Sequence, residues 1–150
     1  MNPNKLLGLA LLVVATSCSD ATGPVPQTKA LEAARQQWRN QNLHTYAFAL
    51  QRSCFCGNTH ALYIAVLNDA VVAVLDLEAG TELDPKLGET VEDLFTFVET
   101  AINRPARLIR VDYDAAKGFP TEIDYDGAAQ IADDEIFFRV TDVHPIPPRP

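Results

Sequence analysis

The stretch that most constrains the fold is "ALYIAVLNDAVVAVLD", residues 61–76. Asn68-Asp69 in its middle predicts a hairpin turn, because both residues tolerate positive φ. The first arm is apolar at every position, so both faces of that strand are apolar: Leu62, Ile64 and Val66 on one, Tyr63, Ala65 and Leu67 on the other. This favours a central hairpin covered on both sides. The alternative is that one apolar face is exposed and meets a partner.

Two helices and a further strand are predicted around this hairpin. The stripe of Leu31, Ala34 and Trp38 indicates a helix that begins at Thr28 or Lys29 and ends near Asn42. "TYAFALQRS" alternates with period two and predicts a strand that starts at Tyr46. The second helix follows a capping-box pair and ends before Pro105; its first residues and apolar positions are Thr90, Val91, Asp93, Leu94, Phe95, Val98 and Ile102.

A second hairpin is predicted in "RLIRVDYDAAKGFPTEIDYD". Directly opposed residues share a face, so a continuous apolar face requires Val111 to lie opposite Ile123. That register leaves Ala115 to Phe119 as the loop. "EIFFRVTDV", Glu135 to Val143, predicts the last strand, and "TELDPKLGE" is expected to be a loop.

These elements predict one α+β domain in the order α-β-β-β-α-β-β-β. About six hairpin-connected strands would form an antiparallel sheet, with the two helices packed on one face. A chain of 150 residues has room for one such domain, which we expect over residues 28–144. Residues 145–150 are a proline-rich tail that is expected not to continue the sheet.

The N-terminus has the layout of a signal peptide. Lys5 precedes the apolar run "LLGLALLVVA", residues 6–15, which is too short to span a bilayer, and "ATSC" follows. This arrangement resembles the lipobox of bacterial lipoproteins. The resemblance implies cleavage before Cys18 and acylation of that cysteine, which anchors the chain in a membrane. The alternative is an ordinary secretory signal with an incidental cysteine.

The lipobox predicts a bacterial cell-envelope protein facing the periplasm or the cell surface. Residues 1–17 would be removed, and residues 18–27, which include "SDATGPVPQ", would form a flexible tether. With Cys18 acylated, Cys54 and Cys56 remain as an even pair. Which membrane holds the anchor is left open by the sequence.

The pair in "CFCGNTH" has three readings. A structural disulfide between Cys54 and Cys56 is favoured because exported thiols oxidise, although the loop it closes is very short. A redox centre is the second reading. The third is a site for Cu⁺ or Zn²⁺ formed by the two thiolates and His60, with His44 or His144 as a further ligand. If the strand from Tyr46 continues, both cysteines extend its apolar face.

Carboxylates alternate with apolar residues in the second hairpin. Asp112, Asp114, Asp124 and Asp126 are all predicted to point to its polar face. Several carboxylates together can bind Ca²⁺, but the spacing does not match an EF-hand loop, and the sequence favours a solvated outer face.

Charge and motifs restrict the function classes. The net charge of −8 argues against a nucleic-acid partner. The sequence has no nucleophile elbow, zinc-protease motif, phosphate loop or dinucleotide fingerprint, so no catalytic residue and no cofactor is predicted.

The whole domain resembles domain-of-unknown-function family 6174, a set of exported bacterial proteins that includes many lipoproteins. The resemblance is carried by "CFC", the apolar hairpin after it, "YDAAKGFPTEI" and "IADDEIFFRVTDV". It implies an envelope location and a single domain, and brings no activity or site residues. We therefore predict a lipid-anchored, non-enzymatic envelope protein that binds another protein or a small ligand; its oligomeric state is left open. The alternative is a thiol-redox or soft-metal protein that uses the C-x-C pair.

Overall fold

The computed structural model describes residues 24–54, 59–104, 106, 108–127, 131 and 133–147. Two helices and seven strands lie within these residues. They are α1 (Pro24–Asn40), β1 (Tyr46–Cys54), β2 (Ala61–Leu67), β3 (Ala70–Asp76), β4 (Thr81–Leu83), α2 (Val91–Ile102), β5 (Leu108–Tyr113), β6 (Pro120–Asp126) and β7 (Ile136–Pro145). A short 3₁₀ turn, Pro85–Leu87, joins β4 to α2.

The strands form one antiparallel sheet in the order β4-β3-β2-β1-β7-β6-β5. The predicted α+β class is therefore confirmed, with one strand more than the expected number. The extra strand is β4, in the segment expected to be a loop. Gly80, at φ +67°, turns the chain back so that Thr81 pairs with Asp76 and Leu83 with Val74. A strand of three residues is too short to show alternation in the sequence.

Both helices pack on the same face of the sheet, as predicted. The core joins the apolar stripe of α1, the apolar face of α2 and the even-numbered positions of β1; its most central members include Trp38, Phe48, Leu50, Ile64, Phe95 and Ile123. On the opposite face of the β2–β3 hairpin, Tyr63, Ala65 and Leu75 are half-buried. Cover on both sides of this hairpin was expected, but the helices cover one side, and β1 rather than the hairpin is central.

Helix α1 begins earlier than predicted, at Pro24 rather than at Thr28 or Lys29. The segment from Pro24 to Gln27, expected to belong to the tether, is helical. Proline is compatible with the first turn of a helix, whose N–H groups have no intrahelical acceptor. The prolines in this segment are therefore helix-starting residues, and the part of the tether before Pro24 lies outside the described residues, as do residues 1–17. Among the described residues, no helix has the length and apolarity needed to cross a membrane.

The start of α2 is the capping box that the sequence predicts. The Asp93 N–H donates to Thr90 Oγ1 at 3.1 Å, and the Thr90 N–H donates to Asp93 Oδ2 at 2.8 Å. Asn103 caps the other end, so α2 ends before position 105, as expected.

The β5–β6 hairpin has the predicted register at its centre, where Val111 lies opposite Ile123. A bulge after Asp112 then sets Tyr113 opposite Pro120, so the loop begins at Asp114 rather than at Ala115. The reason is the Asp114 side chain, which accepts the N–H groups of Ala116 and Lys117 and closes a turn instead of extending the strand.

The last strand, β7, lies beside the first strand, β1. It runs to Pro145, which pairs with Tyr46, so the tail expected to begin at that proline still belongs to the sheet for one residue. Proline is tolerated at the terminus of a strand, where a missing N–H breaks no ladder.

Candidate functional site

The C-x-C segment connects two neighbouring strands at one end of the sheet. Gln51 of β1 pairs with Ala61 of β2, so Cys54, the last residue of β1, and His60, just before β2, belong to the same connection. Cys54 lies on the core-facing side of β1, as the alternation predicts, and is half-buried opposite Ile136. Cys54 has an interaction partner. Cys56 and Cys18 lie outside the described residues.

His60 forms an ion pair with the carboxylate of Asp76 at the end of β3. His60 Nδ1 lies 2.8 Å from Asp76 Oδ2, and Asp76 is only 4% exposed. Asp76 Oδ1 accepts the N–H groups of Glu78 and Ala79, at 2.9 and 2.8 Å, which shapes the β3–β4 turn. The buried carboxylate therefore holds both the turn and the imidazole.

The hydrogen bond to Asp76 raises the pKa of His60 above its ordinary value of 6.5, with the nearby charges of Asp76 and Glu78 acting in the same direction. His60 Nε2 lies 3.6 Å from Glu78 Oε2. A hydrogen bond from Nδ1 to a carboxylate is compatible with metal binding through Nε2, which must first lose its proton.

The two histidines considered as further metal ligands lie at the other end of the sheet. His44 Nδ1 contacts Asp69 in the β2–β3 turn at 2.8 Å, and His144 lies opposite Ala47 at the start of β1. The seven residues of β2 separate this end from His60 by about 23 Å. His44 and His144 therefore cannot complete a site at Cys54 and His60. Within the described part of the chain, no three His, Cys, Asp or Glu side chains are grouped as metal ligands.

The carboxylates of the β5–β6 hairpin do not all share one face. Asp124 pairs with Arg110 across the strands at 2.9 Å, and Asp112 is exposed opposite Glu122. The prediction was wrong for Asp114, whose carboxylate caps the loop turn. This hairpin face is a mixed-charge surface rather than an acidic cluster.

A small apolar pocket lies where α1, α2 and β5 meet. It is lined by Gln27, Ala30, Ile102, Ile109, Val111 and Tyr113. Burial raises the pKa of the Tyr113 phenol, whose ring stacks on Phe95 at 6.3 Å. The Gln27 side chain donates to the Ile109 carbonyl at 2.8 Å, so α1 contacts the backbone of β5 directly.

Three features were missed by sequence reasoning: the buried Asp76, the pocket and the ion pairs that join the helices. Arg35 of α1 bridges Glu92 and Glu99 of α2, at 2.8 and 3.0 Å. Glu92 and Glu99 are seven residues apart and therefore share one face of the helix, so their spacing could have indicated a common partner. Asp76 stands out in the sequence as a carboxylate at the end of an apolar strand, but this position alone does not indicate that it is buried.

The structure thus defines an α+β domain with an open antiparallel sheet whose two helices lie on one face. Among the described residues it shows no recognisable catalytic cluster. The profile of a family of unknown function, DUF6174, matches residues 30–145, and the chain belongs to this family. No curated protein and no solved structure gives a significant match to the chain.

Proposed function

We propose that this protein is a lipid-anchored component of the bacterial cell envelope, acylated at Cys18, with a binding or structural role. The observation that carries the proposal is the N-terminal sequence: an apolar run follows Lys5, and "ATSC" stands at its end. Several acyl chains on one cysteine give stable membrane attachment, whereas one chain alone is marginal.

Because α1 begins at Pro24, only a short segment joins the domain to the proposed anchor at Cys18. Six residue steps separate Cys18 from Pro24, which corresponds to at most about 20 Å of extended chain. The domain would therefore stay next to the bilayer. The side of the domain nearest the bilayer would contain the first turn of α1 and strand β5, to which Gln27 of α1 is hydrogen-bonded.

Intact mass of the full chain, produced in a bacterium with lipoprotein processing, tests the anchor. We expect loss of residues 1–17 and the added mass of acyl chains, together with partition into membranes. The Cys18→Ser variant should lose both properties, whereas the matched Ser17→Ala variant should keep them, because alanine is also a small residue. Cleavage at another bond, or an unmodified Cys18, would refute the anchor.

The proposed binding role is supported by the face of the sheet opposite the helices. Its middle is apolar: Tyr63 of β2 lies between Ala49 of β1 and Leu75 of β3, and Ala65 lies two residues further along β2. The β6–β7 side of this face carries the Glu122–Arg139 ion pair at 3.0 Å. We propose that another envelope protein contacts this face. A photo-crosslinking residue at Tyr63 should yield a defined adduct in cells, and one at Ala33, on the exposed side of α1, should not. Equal labelling from both positions would refute a role for this face.

We propose a structural disulfide between Cys54 and Cys56. The proposal is supported by the position of Cys54 at the half-buried end of β1 and by the tendency of exported thiols to oxidise. The competing redox or soft-metal role draws on one observation: the His60–Asp76 pair lies at the same end of the sheet. A redox titration and metal analysis of the purified chain separate the two. A very negative potential without bound metal supports the structural role, whereas a readily reduced pair or a stoichiometric metal supports the alternative.

A further inference from the structure

Strand β5 is the last strand of the sheet and has a partner on one side only. It pairs with β6, and no strand among the described residues pairs with its outer side. Such an edge presents a row of backbone groups that no neighbouring strand bonds, which is a template for a further strand; along β5, the Ile109 carbonyl is bonded by the Gln27 side chain.

The outward-pointing groups of this edge can be assigned. The Ile109 carbonyl accepts a bond from the Gln27 side chain, which lies outside the sheet, so this carbonyl points away from β6. Backbone groups alternate in direction along a strand, so Val111 and Tyr113 also present their N–H and C=O groups outward, whereas those of Arg110 and Asp112 face β6.

The side chains of β5 divide into two rows. Ile109, Val111 and Tyr113 are half-buried and line the apolar pocket beside α1 and α2. Arg110 and Asp112 are exposed on the opposite face, where they alternate in charge.

We propose that β5 pairs in antiparallel orientation with β5 of a second copy of this chain, centred on Val111. In this register Val111 lies opposite the partner's Val111, and Ile109 opposite the partner's Tyr113. These are the residues whose backbone groups point outward, so they form the hydrogen-bonded pairs of the new ladder. The Ile109 carbonyl has two lone pairs and would accept the partner's Tyr113 N–H beside the Gln27 side chain. The two sheets then join into one continuous sheet.

Charge selects this register over its neighbours. Centring on Val111 sets Arg110 opposite the partner's Asp112, and this pair occurs twice by symmetry. Moving the centre by one residue sets Arg110 against the partner's Arg110, or Asp112 against the partner's Asp112. Opposite charges that face each other across strands stabilise a pair, and like charges destabilise it.

Asp112 is suited to an incoming cation. On its own sheet it lies opposite Glu122, a like charge, and Glu122 bonds to Arg139 rather than to Asp112. Among the described residues, Asp112 has no ion pair. The partner's Arg110 would supply one, while Arg110 keeps its contact with Asp124.

The oligomeric state of the full chain in detergent tests the proposal. The result does not depend on the proposed membrane anchor, because self-pairing does not require acylation of Cys18. Sedimentation equilibrium should give a monomer–dimer equilibrium for the native chain. Asp112→Arg should weaken dimerisation by about tenfold to a hundredfold, since two attractive pairs become repulsive. This variant sets a guanidinium opposite Glu122 within the monomer, so it should not harm folding. The matched control is Glu82→Arg, an exposed carboxylate on β4 at the other edge of the sheet, which should leave dimerisation unchanged.

The double variant Arg110→Asp with Asp112→Arg exchanges the two charges and should restore the dimer. A native chain that is monomeric at all accessible concentrations would overturn the proposal. A dimer that withstands Asp112→Arg, or that responds equally to Glu82→Arg, would show that another surface is used.

Discussion

The phenol oxygen of Tyr46, the first residue of β1, accepts the N–H of Val91, the first residue of α2, at 3.1 Å. Both residues are buried, Tyr46 at 2% and Val91 at 0% exposure. The first N–H groups of a helix have no acceptor within the helix, so an acceptor from elsewhere is required when the helix start is buried. A side chain of the central strand thus fixes where α2 begins on the sheet.

Removing this oxygen should destabilise the domain. Tyr46→Phe leaves the ring in place but leaves the buried Val91 N–H without its acceptor, which costs about 1–3 kcal/mol. Chemical unfolding monitored by circular dichroism measures the change. The control is Tyr63→Phe, on the opposite face of the sheet, which should alter the free energy of unfolding by less than about 0.5 kcal/mol. Equal effects would mean that the Tyr46–Val91 bond contributes nothing specific.

Alkaline pH should weaken the same site. Burial raises the pKa of Tyr46 to about 12 in the folded chain, against an ordinary value of about 10. Because the folded pKa is the higher one, the contribution to stability is complete below pH 10 and is lost as the pH rises from 10 toward 12. The melting temperature of the native chain should therefore fall more steeply with pH over this range than the melting temperature of Tyr46→Phe. Parallel curves would contradict the assignment; Tyr113 is common to both proteins and cancels in the comparison.

The capping box of α2 should contribute measurably to stability. Thr90→Ala removes the oxygen that accepts the Asp93 N–H and should cost about 0.5–2 kcal/mol. Thr100→Ala serves as the control, because Thr100 Oγ1 only donates to the Thr96 carbonyl within the helix. The free energy of unfolding of Thr100→Ala should change little, because a side-chain bond to a carbonyl one turn back in the helix adds little stability. If both variants lose the same free energy, the cap is not the cause.

His60 should titrate above its ordinary value because it donates to Asp76. The ion pair contributes stability that is fully present below pH 6.5 and is lost as the pH rises through the raised pKa of the folded state. Nuclear magnetic resonance of the imidazole protons measures this pKa directly. Asp76→Asn should lower it, whereas Asp69→Asn, a change beside His44, should leave it in place. No shift with Asp76→Asn would show that another group raises the His60 pKa.

Gly118 should be far less replaceable than Gly80, although both have positive φ, at +87° and +67°. A Cβ at Gly118 would collide with the Ala34 carbonyl oxygen and lie 2.9 Å from Trp38 N, both in α1, whereas a Cβ at Gly80 meets nothing within 4 Å. Gly80→Ala should cost about 1–2 kcal/mol from backbone strain alone. Gly118→Ala should cost about 1–3 kcal/mol more, because the loop must move off α1. Equal losses of unfolding free energy would refute the close approach.

The parts of the fold that are set by neighbouring residues could be predicted from the sequence. The register of Val111 with Ile123 follows from alternation, since a slip of one residue would move apolar side chains to the solvent face. The Thr90–Asp93 cap follows from a spacing of three residues. Each feature depends on bonds or side-chain directions that the local sequence already contains.

The missed parts depend on residues far apart in the chain. Asp76 is buried because His60 and the turn N–H groups satisfy its oxygens, and no local pattern shows that these groups converge. Strand β4 forms because β3 provides backbone hydrogen-bonding partners for it, not because its three residues favour extended backbone. The edge position of β5 likewise follows from the strand order, which hairpin patterns alone do not determine.

The strand order also determines when the domain can fold. The central strand β1 pairs with β7, so Tyr46 finds its partner Pro145 only after nearly the whole chain has become available. Contacts so distant in sequence form slowly, because a long loop must close before they contribute. A chain that emerges N-terminus first would remain without its central ladder until β7 appears. If the protein is exported as its N-terminal sequence predicts, this delay would keep it unfolded and able to pass through a narrow channel before the sheet closes.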